Sequence, residues 1–387
     1  EPSPTPTPDP VGEALAGMTV EQKAAQLLVA GIEGTEPGED AVQAVQGYQV
    51  GGVILFGRNV ESAEQLAALT NGLKELNGDY TPLFLCVDQE GGRVDRMPPE
   101  VSRTPSAWSV GQTLDTEGVG VSYGELLAAE CAAFGFNMDF APSLDIWSNP
   151  DNTVIGDRAF GNDWEWTAFF GMSAVEGMEK QGTVIPVVKH FPGHGDTAVD
   201  SHTALPVVDK TLEDLWQSEL VPFDMVLSGQ FWGEPVMEPT PAVMVAHILL
   251  SQIDPDNPAS LSPEVVTGLL REEMGYEGVV CTDDLTMGAI SNTYGMGEAA
   301  VLAVEAGCDL LLVCHGADNL AEAHAALVEA VDSGCIPEER LDESVYRVLS
   351  LKTVYGLSNA PVEAPDIEAL NDRIAALERS IEADTSQ

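Results

Sequence analysis

The chain has 387 residues, of which 44% are hydrophobic, and this length suffices for one large α/β barrel or for two ordinary domains. Its 63 acidic and 16 basic residues give a net charge of −47 at pH 7, which repels phosphate backbones and argues against a nucleic-acid partner. No apolar run is long enough to predict a membrane span.

The first ten residues, EPSPTPTPDP, carry proline at alternate positions and cannot contribute to a core. This pattern predicts an extended spacer over residues 1–10. Because the chain opens on Glu1 rather than Met, we expect that a segment upstream is removed. The expectation is an extracytoplasmic protein, secreted or held at the cell surface by a lipid anchor upstream. A boundary placed within a flexible region is the alternative.

Eight short apolar runs, bounded by turn residues, follow one another along the chain. They cover residues 26–32, 50–56, 82–88, 136–142, 184–191, 242–248, 278–284 and 308–314. Most are continuous rather than alternating, which is typical of parallel strands buried on both faces. Helical patterns lie between them, as at 62–77 and at 262–275, where Ser262 is a candidate N-cap and Gly275 a candidate stop. The pattern predicts a (β/α)₈ barrel over residues 11–360.

Two regions depart from a simple alternation of strand and helix. The stretch from 89 to 135 is long for one connection, so we expect an extended loop followed by a helix. The segment 361–387 carries an apolar stripe at intervals of three and four residues, which predicts a C-terminal amphipathic helix. This helix is short for an independent coiled coil, so packing on the barrel's own surface and a monomeric chain are expected.

Polar residues collect where the predicted strands end, the position of catalytic residues in barrels of this type. They are Asp88, Asp145, Lys189, His190, His247, Asp283, Asp284 and His315. For Asp145, His247 and His315 taken singly, simple capping of a strand explains the position equally well.

The segment PVVKHFPGHGDTAVDSHTALP, residues 186–206, holds three of the six histidines, and a metal site is one interpretation. The candidate ligands are His190, His194, Asp196, Asp200 and His202. However, no pair has the spacing of a helical metal motif, and Pro192 with two glycines indicates a loop. We expect neither a metal nor a cofactor.

Two other chemistries remain for this segment. Lys189 at a strand end could form a Schiff base, but the acidic surroundings would hold the amine protonated and inactive. Glycoside cleavage needs a carboxylate at the anomeric carbon and an acid for the leaving oxygen. Asp283 can supply the carboxylate. Asp200 lies two residues before His202, so its carboxylate can accept a hydrogen bond from one imidazole nitrogen. This hydrogen bond would orient His202 as the acid.

The segment KHFPGHGDTAVDSHTALP resembles the signature of β-N-acetylglucosaminidases of glycoside hydrolase family 3, the type that recycles muropeptides. Other blocks resemble the family in the family's order: GVILFGRNV (52–60), VDQEGGRVDRM (87–97), FAPSLDI (140–146), IGDRAFG (155–161), VMVAHI (243–248) and VVCTDDLTMGAI (279–290). The resemblance extends over residues 11–357.

The resemblance implies roles for individual positions. The nucleophile corresponds to Asp283, and the acid/base pair on the family's mobile loop corresponds to Asp200 and His202. Asp284 and His194 are then expected to support the site rather than to touch sugar. Substrate contacts correspond to the following residues: Asp88, Arg96, Arg158, Lys189 and His190. The family acts with retention, so a covalent glycosyl-enzyme on Asp283 is expected.

The expected substrate is a glycan with a terminal β-linked N-acetylglucosamine, from muropeptides or short chitooligosaccharides. Family 3 β-glucosidases are the nearest rival, but they generally take a Glu acid/base from a following domain, whereas this loop supplies an acid within the barrel. Phosphorolysis is a further alternative, because a neutral His202 repels an anionic acceptor less than a carboxylate would. A carbohydrate-binding barrel without activity is the non-enzymatic alternative.

Overall fold

The computed structural model describes residues 9–116, 118–197, 201, 204–231 and 233–386. Eight parallel strands form a closed barrel in which each strand pairs with its sequence neighbours and the last pairs with the first. The strands are β1 Leu28–Gly31, β2 Gly52–Ile54, β3 Phe84–Val87, β4 Met138–Asp139, β5 Ile185–Phe191, β6 Ala242–Val245, β7 Val279–Asp284 and β8 Leu310–Val313. Each lies inside one of the eight predicted runs, so the (β/α)₈ prediction is confirmed.

Alternation along the strands divides the apolar side chains between two cores. In β3, Phe84 and Cys86 face the barrel interior, whereas Leu85 and Val87 face the surrounding helices. Successive side chains of a strand point to opposite faces, so both sets are buried only when helices cover the outside. The continuous apolar runs in the sequence reflect this double burial.

Helices cover the barrel on the outside. They are α1 Pro10–Ala16, α2 Val20–Gln26, α3 Glu39–Val42, α4 Ala63–Asn77, α5 Ala107–Gly111, α6 Val119–Ala133, α7 Trp164–Gln181, α8 Leu212–Leu215, α9 Leu220–Ser228, α10 Gly288–Ser291, α11 Met296–Ala306, α12 Ala317–Asp332, α13 Glu338–Val354 and α14 Ile367–Thr385. Segments with π-type hydrogen bonding span Gln43–Tyr48 and Glu264–Glu273, and 3₁₀ turns span Gly57–Asn59, Gly156–Arg158 and Ala259–Leu261. Two short ribbons pair Val207–Val208 with Leu249–Leu250 and Gln230–Phe231 with Glu234–Pro235.

A serine hydroxyl bonds the first turn of each of the two helices predicted from sequence, although only Ser262 was a predicted cap and the helical segment there follows Pro263. The Ser62 hydroxyl accepts a hydrogen bond from the Gln65 N–H at 3.2 Å and starts α4. The Ser262 hydroxyl accepts from the Val265 N–H at 3.3 Å, and Gly275, with φ of 69°, follows the end of that helical segment. The backbone hydrogen bonds of this segment are π-type rather than α-type. The periodicity of apolar residues does not distinguish these two kinds of helix.

The long β3–β4 connection contains α5 and α6, as the length of the stretch from 89 to 135 predicted. Helix α14 lies against this connection and α6. Asn371 bonds the Glu100 carbonyl and the Ser102 N–H, and Asp384 accepts from the Leu114 N–H at 2.6 Å. The helix is therefore attached to the connection at two separate points. The division of the chain into spacer, barrel and C-terminal helix stays a prediction.

Within the described ranges, no helix combines the length and the apolar character needed to cross a bilayer.

Candidate active site

A cavity of about 220 Å³ opens at the end of the barrel where the strands terminate. The predicted site residues that the structure describes all line it: Asp88, Arg96, Arg158, Lys189, His190 and Asp283. They come from four strands and their following loops, so the closed barrel brings together positions up to 195 residues apart in sequence. The other two predicted residues, Asp200 and His202, lie outside the described residues. The roles of all eight stay predictions.

Asp283 is the penultimate residue of β7 and lines the cavity. Its Oδ1 accepts a hydrogen bond from the Asp284 N–H at 2.8 Å. Burial alone would raise the pKa of Asp283, but the neighbouring imidazoles of His247 and His190, the Asp284 N–H and the Lys189 ammonium together lower it below its ordinary value. The carboxylate is therefore ionised at neutral pH, the state that a nucleophile requires.

Two acids and two bases that line the same cavity form an ion-pair network. The Lys189 ammonium lies 2.6 Å from Asp88 Oδ1 and 2.6 Å from Glu90 Oε1. The Arg158 guanidinium donates twice to Glu90, from Nε to Oε2 and from Nη2 to Oε1, both at 2.8 Å. Glu90 thus links the lysine of β5 to the arginine of the β4–β5 connection. This bidentate geometry fixes the direction of both cations.

The environment of Lys189 does not favour a Schiff base. Burial lowers the pKa of Lys189, but Asp88 and Glu90 more than offset this and raise it above its ordinary value. A lysine nucleophile must be neutral, whereas this one is held as an ammonium. Lys189 can instead donate hydrogen bonds to hydroxyl groups.

His190 is held in one tautomer by its two neighbours. Its Nδ1 lies 2.6 Å from Asp145 Oδ2, and its Nε2 lies 3.2 Å from Arg158 Nη2. An ionised carboxylate only accepts and a guanidinium only donates, so Nδ1 carries the proton and Nε2 accepts. Burial would raise the pKa of Asp145, yet hydrogen bonds from His190 and from the His194 backbone hold it well below its usual range. Asp145 therefore positions His190 and the start of the next loop.

His194 braces the loop that follows β5. Its Nδ1 lies 2.8 Å from the Thr197 hydroxyl and its Nε2 lies 3.2 Å from the Ser201 hydroxyl. Both ring nitrogens therefore have partners, and burial lowers the pKa of His194. Asp196 pairs with Lys210 at 2.9 Å. In the part of the chain that the structure describes, no three acidic, histidine or cysteine side chains are grouped closely enough to hold a metal ion.

Arg96 differs from the other cations of the site. Its backbone N–H donates to Gln89 Oε1 at 2.8 Å, which fixes the position of the residue. Its buried side-chain Nε has no hydrogen-bond partner among the described residues. A buried donor without a partner is costly, so this guanidinium is suited to a ligand that supplies an acceptor.

The remaining strand-end residues have bracing roles. His247 is fully buried between the Ser260 hydroxyl at 2.7 Å and the Asp284 carbonyl at 3.0 Å, and burial lowers its pKa. Asp284 accepts from the backbone of Thr286 and Cys314. These contacts fix the backbone on which Asp283 lies. His315 lines the cavity mouth and stacks on Phe56, with ring centroids 5.7 Å apart.

Glu90 lines the cavity and was missed by the sequence analysis. A usable signal was present, because Asp88 and Glu90 are two positions apart at the end of an extended segment and point the same way. Gly91 and Gly92, with φ of 69° and 54°, then turn the chain so that the Glu90 N–H donates to the Val94 carbonyl at 2.9 Å. This tight turn presents the Glu90 side chain to the cavity.

A second cavity, of about 1110 Å³, lies at the opposite end of the barrel beside α13. Acidic side chains such as Glu277 and Glu339 line it, and none of the predicted site residues does. Opposite charges converge in the smaller cavity, which is therefore the candidate active site.

Comparison with known proteins places this chain in a family. The profile of the glycosyl hydrolase family 3 N-terminal domain matches residues 19–351. The chain is 33% identical to a β-hexosaminidase A of Pseudoalteromonas piscicida over 341 residues, covering 82% of this chain and 56% of that protein. It is 38% identical to a β-hexosaminidase of Alkalilimnicola ehrlichii over 293 residues, covering 74% of this chain and 80% of that protein.

Among solved structures, a family 3 β-N-acetylglucosaminidase from Paenibacillus sp. FPU-7 superposes with a TM-score of 0.86 at 41% identity. The match covers 93% of this chain and 68% of that one. The family match extends over most of the chain and includes every described residue of the site. The chain belongs to glycoside hydrolase family 3, and it is a glycoside hydrolase.

Proposed function

We propose that the protein is a retaining exo-β-N-acetylglucosaminidase that removes terminal β-linked N-acetylglucosamine. The observation that carries the proposal is the ionised Asp283 carboxylate, which shares a small cavity with the ordered cations Lys189, Arg158 and Arg96. A sugar ring offers hydroxyl oxygens to such donors while its anomeric carbon meets the carboxylate. The names of the relatives, β-hexosaminidase and β-N-acetylglucosaminidase, support the choice of sugar.

The proposed reaction has two displacements. Asp283 attacks the anomeric carbon, the bond to the leaving oxygen breaks, and His202 gives that oxygen its proton. A glycosyl ester on Asp283 results. His202, now neutral, removes a proton from water as the water oxygen attacks the same carbon, which releases Asp283 and the β-anomer of the sugar. Asp200 orients His202 throughout.

The proposed natural substrates are fragments met outside the cytoplasm, either muropeptides of peptidoglycan turnover or short chitooligosaccharides. The proline-rich start of the chain supports an extracytoplasmic location. Both substrate groups present the same terminal sugar, and the proposed contacts are made to that sugar rather than to the aglycone attached to it.

The proposal is tested by release of 4-nitrophenol from the N-acetyl-β-glucosaminide and from the β-glucoside. We expect turnover of the first alone, and a loss on the order of 10⁴-fold in Asp283→Ala. Asp318→Asn, an exposed aspartate after β8, is the matched control and should keep full activity. Turnover of the glucoside instead would contradict the choice of sugar. A folded wild type that cleaves neither substrate would contradict the activity.

Azide separates the two proposed catalytic roles. In Asp283→Ala, azide takes the place of the carboxylate and should give an α-glycosyl azide. In His202→Ala, azide attacks the glycosyl-enzyme without needing a base and should give the β-glycosyl azide. The opposite pattern of anomers, read by NMR, would show that the roles are assigned wrongly. Formation of a glycosyl phosphate in concentrated phosphate would identify a phosphorylase.

A further inference from the structure

A buried acid outside the cavity bonds both ends of residues 89–104, the segment that carries Glu90 and Arg96 and is called the substrate loop below. Glu130 of α6 is fully buried, and each of its carboxyl oxygens contacts a different part of the β3–α5 connection. Gln89 Nε2 donates to Oε2 at 2.9 Å, and the Thr104 hydroxyl lies 2.6 Å from Oε1. Gln89 begins the connection and Thr104 lies fifteen residues later, so one side chain closes the loop that lies between them.

The same contacts lead directly to the substrate side chains. Gln89 Oε1 accepts from the Arg96 N–H at 2.8 Å, and the Gln89 N–H donates to Asp139 at 2.8 Å. The Thr104 carbonyl accepts from the Gly92 N–H at 2.8 Å, which holds the turn after Glu90. The Glu130 side chain is therefore bonded directly to Gln89, and the Gln89 side chain in turn positions the backbone of Arg96.

Glu130 has no salt bridge to any described basic residue. The titratable and charged groups that face it are Asp95 from the connection, Arg373 from α14, and Tyr123 and Cys131 from α6. Asp139 of β4 accepts from the N–H of the same Gln89, and burial raises its pKa. Asp95 opposes a negative charge on Glu130 more strongly than Arg373 favours one. The arrangement favours a neutral carboxylic acid at this position, because an unpaired buried carboxylate is strongly unfavourable.

We propose that Glu130 is a positioning residue which, as a neutral acid, sets the location of Arg96 and Glu90 through Gln89 and Thr104, and that its ionisation loosens this loop and weakens sugar binding. In the ionised form both oxygens accept, one from Gln89 and one from the Thr104 hydroxyl, and a buried charge without a salt bridge lies beside Asp95. In the neutral form one oxygen still accepts from Gln89, while the carboxyl O–H donates to the Thr104 hydroxyl oxygen instead of accepting from it. This inference rests on the proposed binding of a sugar in the cavity.

The pH range of the effect follows from the burial of Glu130. Burial raises the pKa of Glu130 to about 8. Below pH 8 the acid is neutral and the loop is closed. Above pH 8 the acid ionises and, if binding requires the neutral form, KM rises by up to about tenfold per pH unit.

The test compares the wild type with Glu130→Gln, because glutamine keeps the shape and hydrogen bonds of the neutral acid without titrating. We expect the KM of the wild type for 4-nitrophenyl N-acetyl-β-glucosaminide to rise between pH 8 and 9.5, and that of Glu130→Gln to change less than twofold. Glu125→Gln, a half-buried residue on the same helix, is the matched control and should follow the wild type. Parallel profiles for the wild type and Glu130→Gln would overturn the proposal.

A measurement without turnover separates this inference from the proposed function. Amide hydrogen exchange at pH 9 should be faster over residues 89–104 in the wild type than in Glu130→Gln, and equal elsewhere. Equal exchange over residues 89–104 would overturn the positioning role even in an inactive preparation. An inactive wild type that still shows the difference would refute the proposed activity and leave the role of Glu130 in place.

Discussion

Glu90 offers the sharpest test of how the site is assembled, because one substitution removes the shared partner of two cations. Glu90→Gln keeps the size of the side chain but removes the negative charge between Lys189 and Arg158, whose contacts are 2.6 and 2.8 Å long. Breaking a buried ion pair by neutralising one partner costs about 3–5 kcal/mol. Lys189 keeps Asp88 at 2.6 Å, so we expect the lower end, about 3 kcal/mol.

This free energy can be converted into a melting temperature. The entropy of unfolding is about 2.1 cal/mol/K per residue, or about 0.8 kcal/mol/K for a chain of this length. The Tm of Glu90→Gln should therefore fall by about 4 °C at pH 7. The same substitution should raise KM for the N-acetylglucosaminide, since Lys189 and Arg158 lose the contacts that direct them.

The pH dependence of the Glu90 effect provides a second check. Burial opposes ionisation, yet Arg158 and Lys189 hold the pKa of Glu90 well below its usual range. A carboxyl whose pKa is depressed by folding contributes stability above its unfolded pKa of about 4.3, and this contribution is lost as pH falls. The difference in Tm between wild type and Glu90→Gln should therefore stay constant from pH 7 to about pH 5 and shrink only as the pH falls below about 4.3.

Circular dichroism melts and steady-state kinetics on both proteins measure these effects. Glu100→Gln is the matched control, because it changes an exposed glutamate on the same connection. Glutamine keeps an oxygen that can accept from the Ala63 N–H, which bonds Glu100 Oε2 at 3.3 Å, so Tm and KM should stay unchanged. If Glu90→Gln melts within about 1 °C of the wild type and keeps its KM, the ion-pair network does not hold the two cations.

Charge and burial give three further predictions. Tm should rise as NaCl increases from 10 to 150 mM, because salt screens the self-repulsion of a net charge of −47, and a flat or falling Tm would contradict this. Arg96→Met should raise KM without lowering Tm, since its buried Nε has no partner in the described chain, and a large loss of Tm would show that Arg96 is structural. Lys352 is buried and its pKa is lowered to about 7, so the free energy of unfolding of the wild type should rise relative to Lys352→Met by up to about 1.4 kcal/mol per unit between pH 7 and 9. Denaturant melts at these pH values measure that difference, and a constant offset would mean that Lys352 does not titrate.

The strands and the strand-end side chains could be predicted from sequence because each depends on local pattern. A continuous apolar run such as 308–314 marks a strand buried on both faces, and the residue after it falls at the mouth of the barrel. Asp88, Lys189 and Asp283 were found in this way. The predicted strands were longer than the observed ones, because several apolar runs continue into loops that are as buried as the strands, as after β4.

Long-range partners could not be predicted in the same way. Glu130 meets Gln89 across 41 residues, and nothing in the pattern of α6 indicates which core position carries an acid for a distant loop. The tautomer of His190 likewise depends on Asp145 and Arg158 together, which only the closed barrel brings within reach. Local pattern predicts where a side chain lies, whereas its charge state depends on neighbours supplied by the fold.

The contacts of α14 have a mechanical consequence. Because Asn371 and Asp384 are bonded to backbone groups of the β3–α6 connection, any displacement of this helix is transmitted to residues 100–116. That connection continues into the Arg96 loop. A force applied to α14 therefore has a route to the candidate active-site cavity along the outside of the molecule, independent of the barrel strands. Helix α14 therefore links the outer surface of the molecule to the substrate loop.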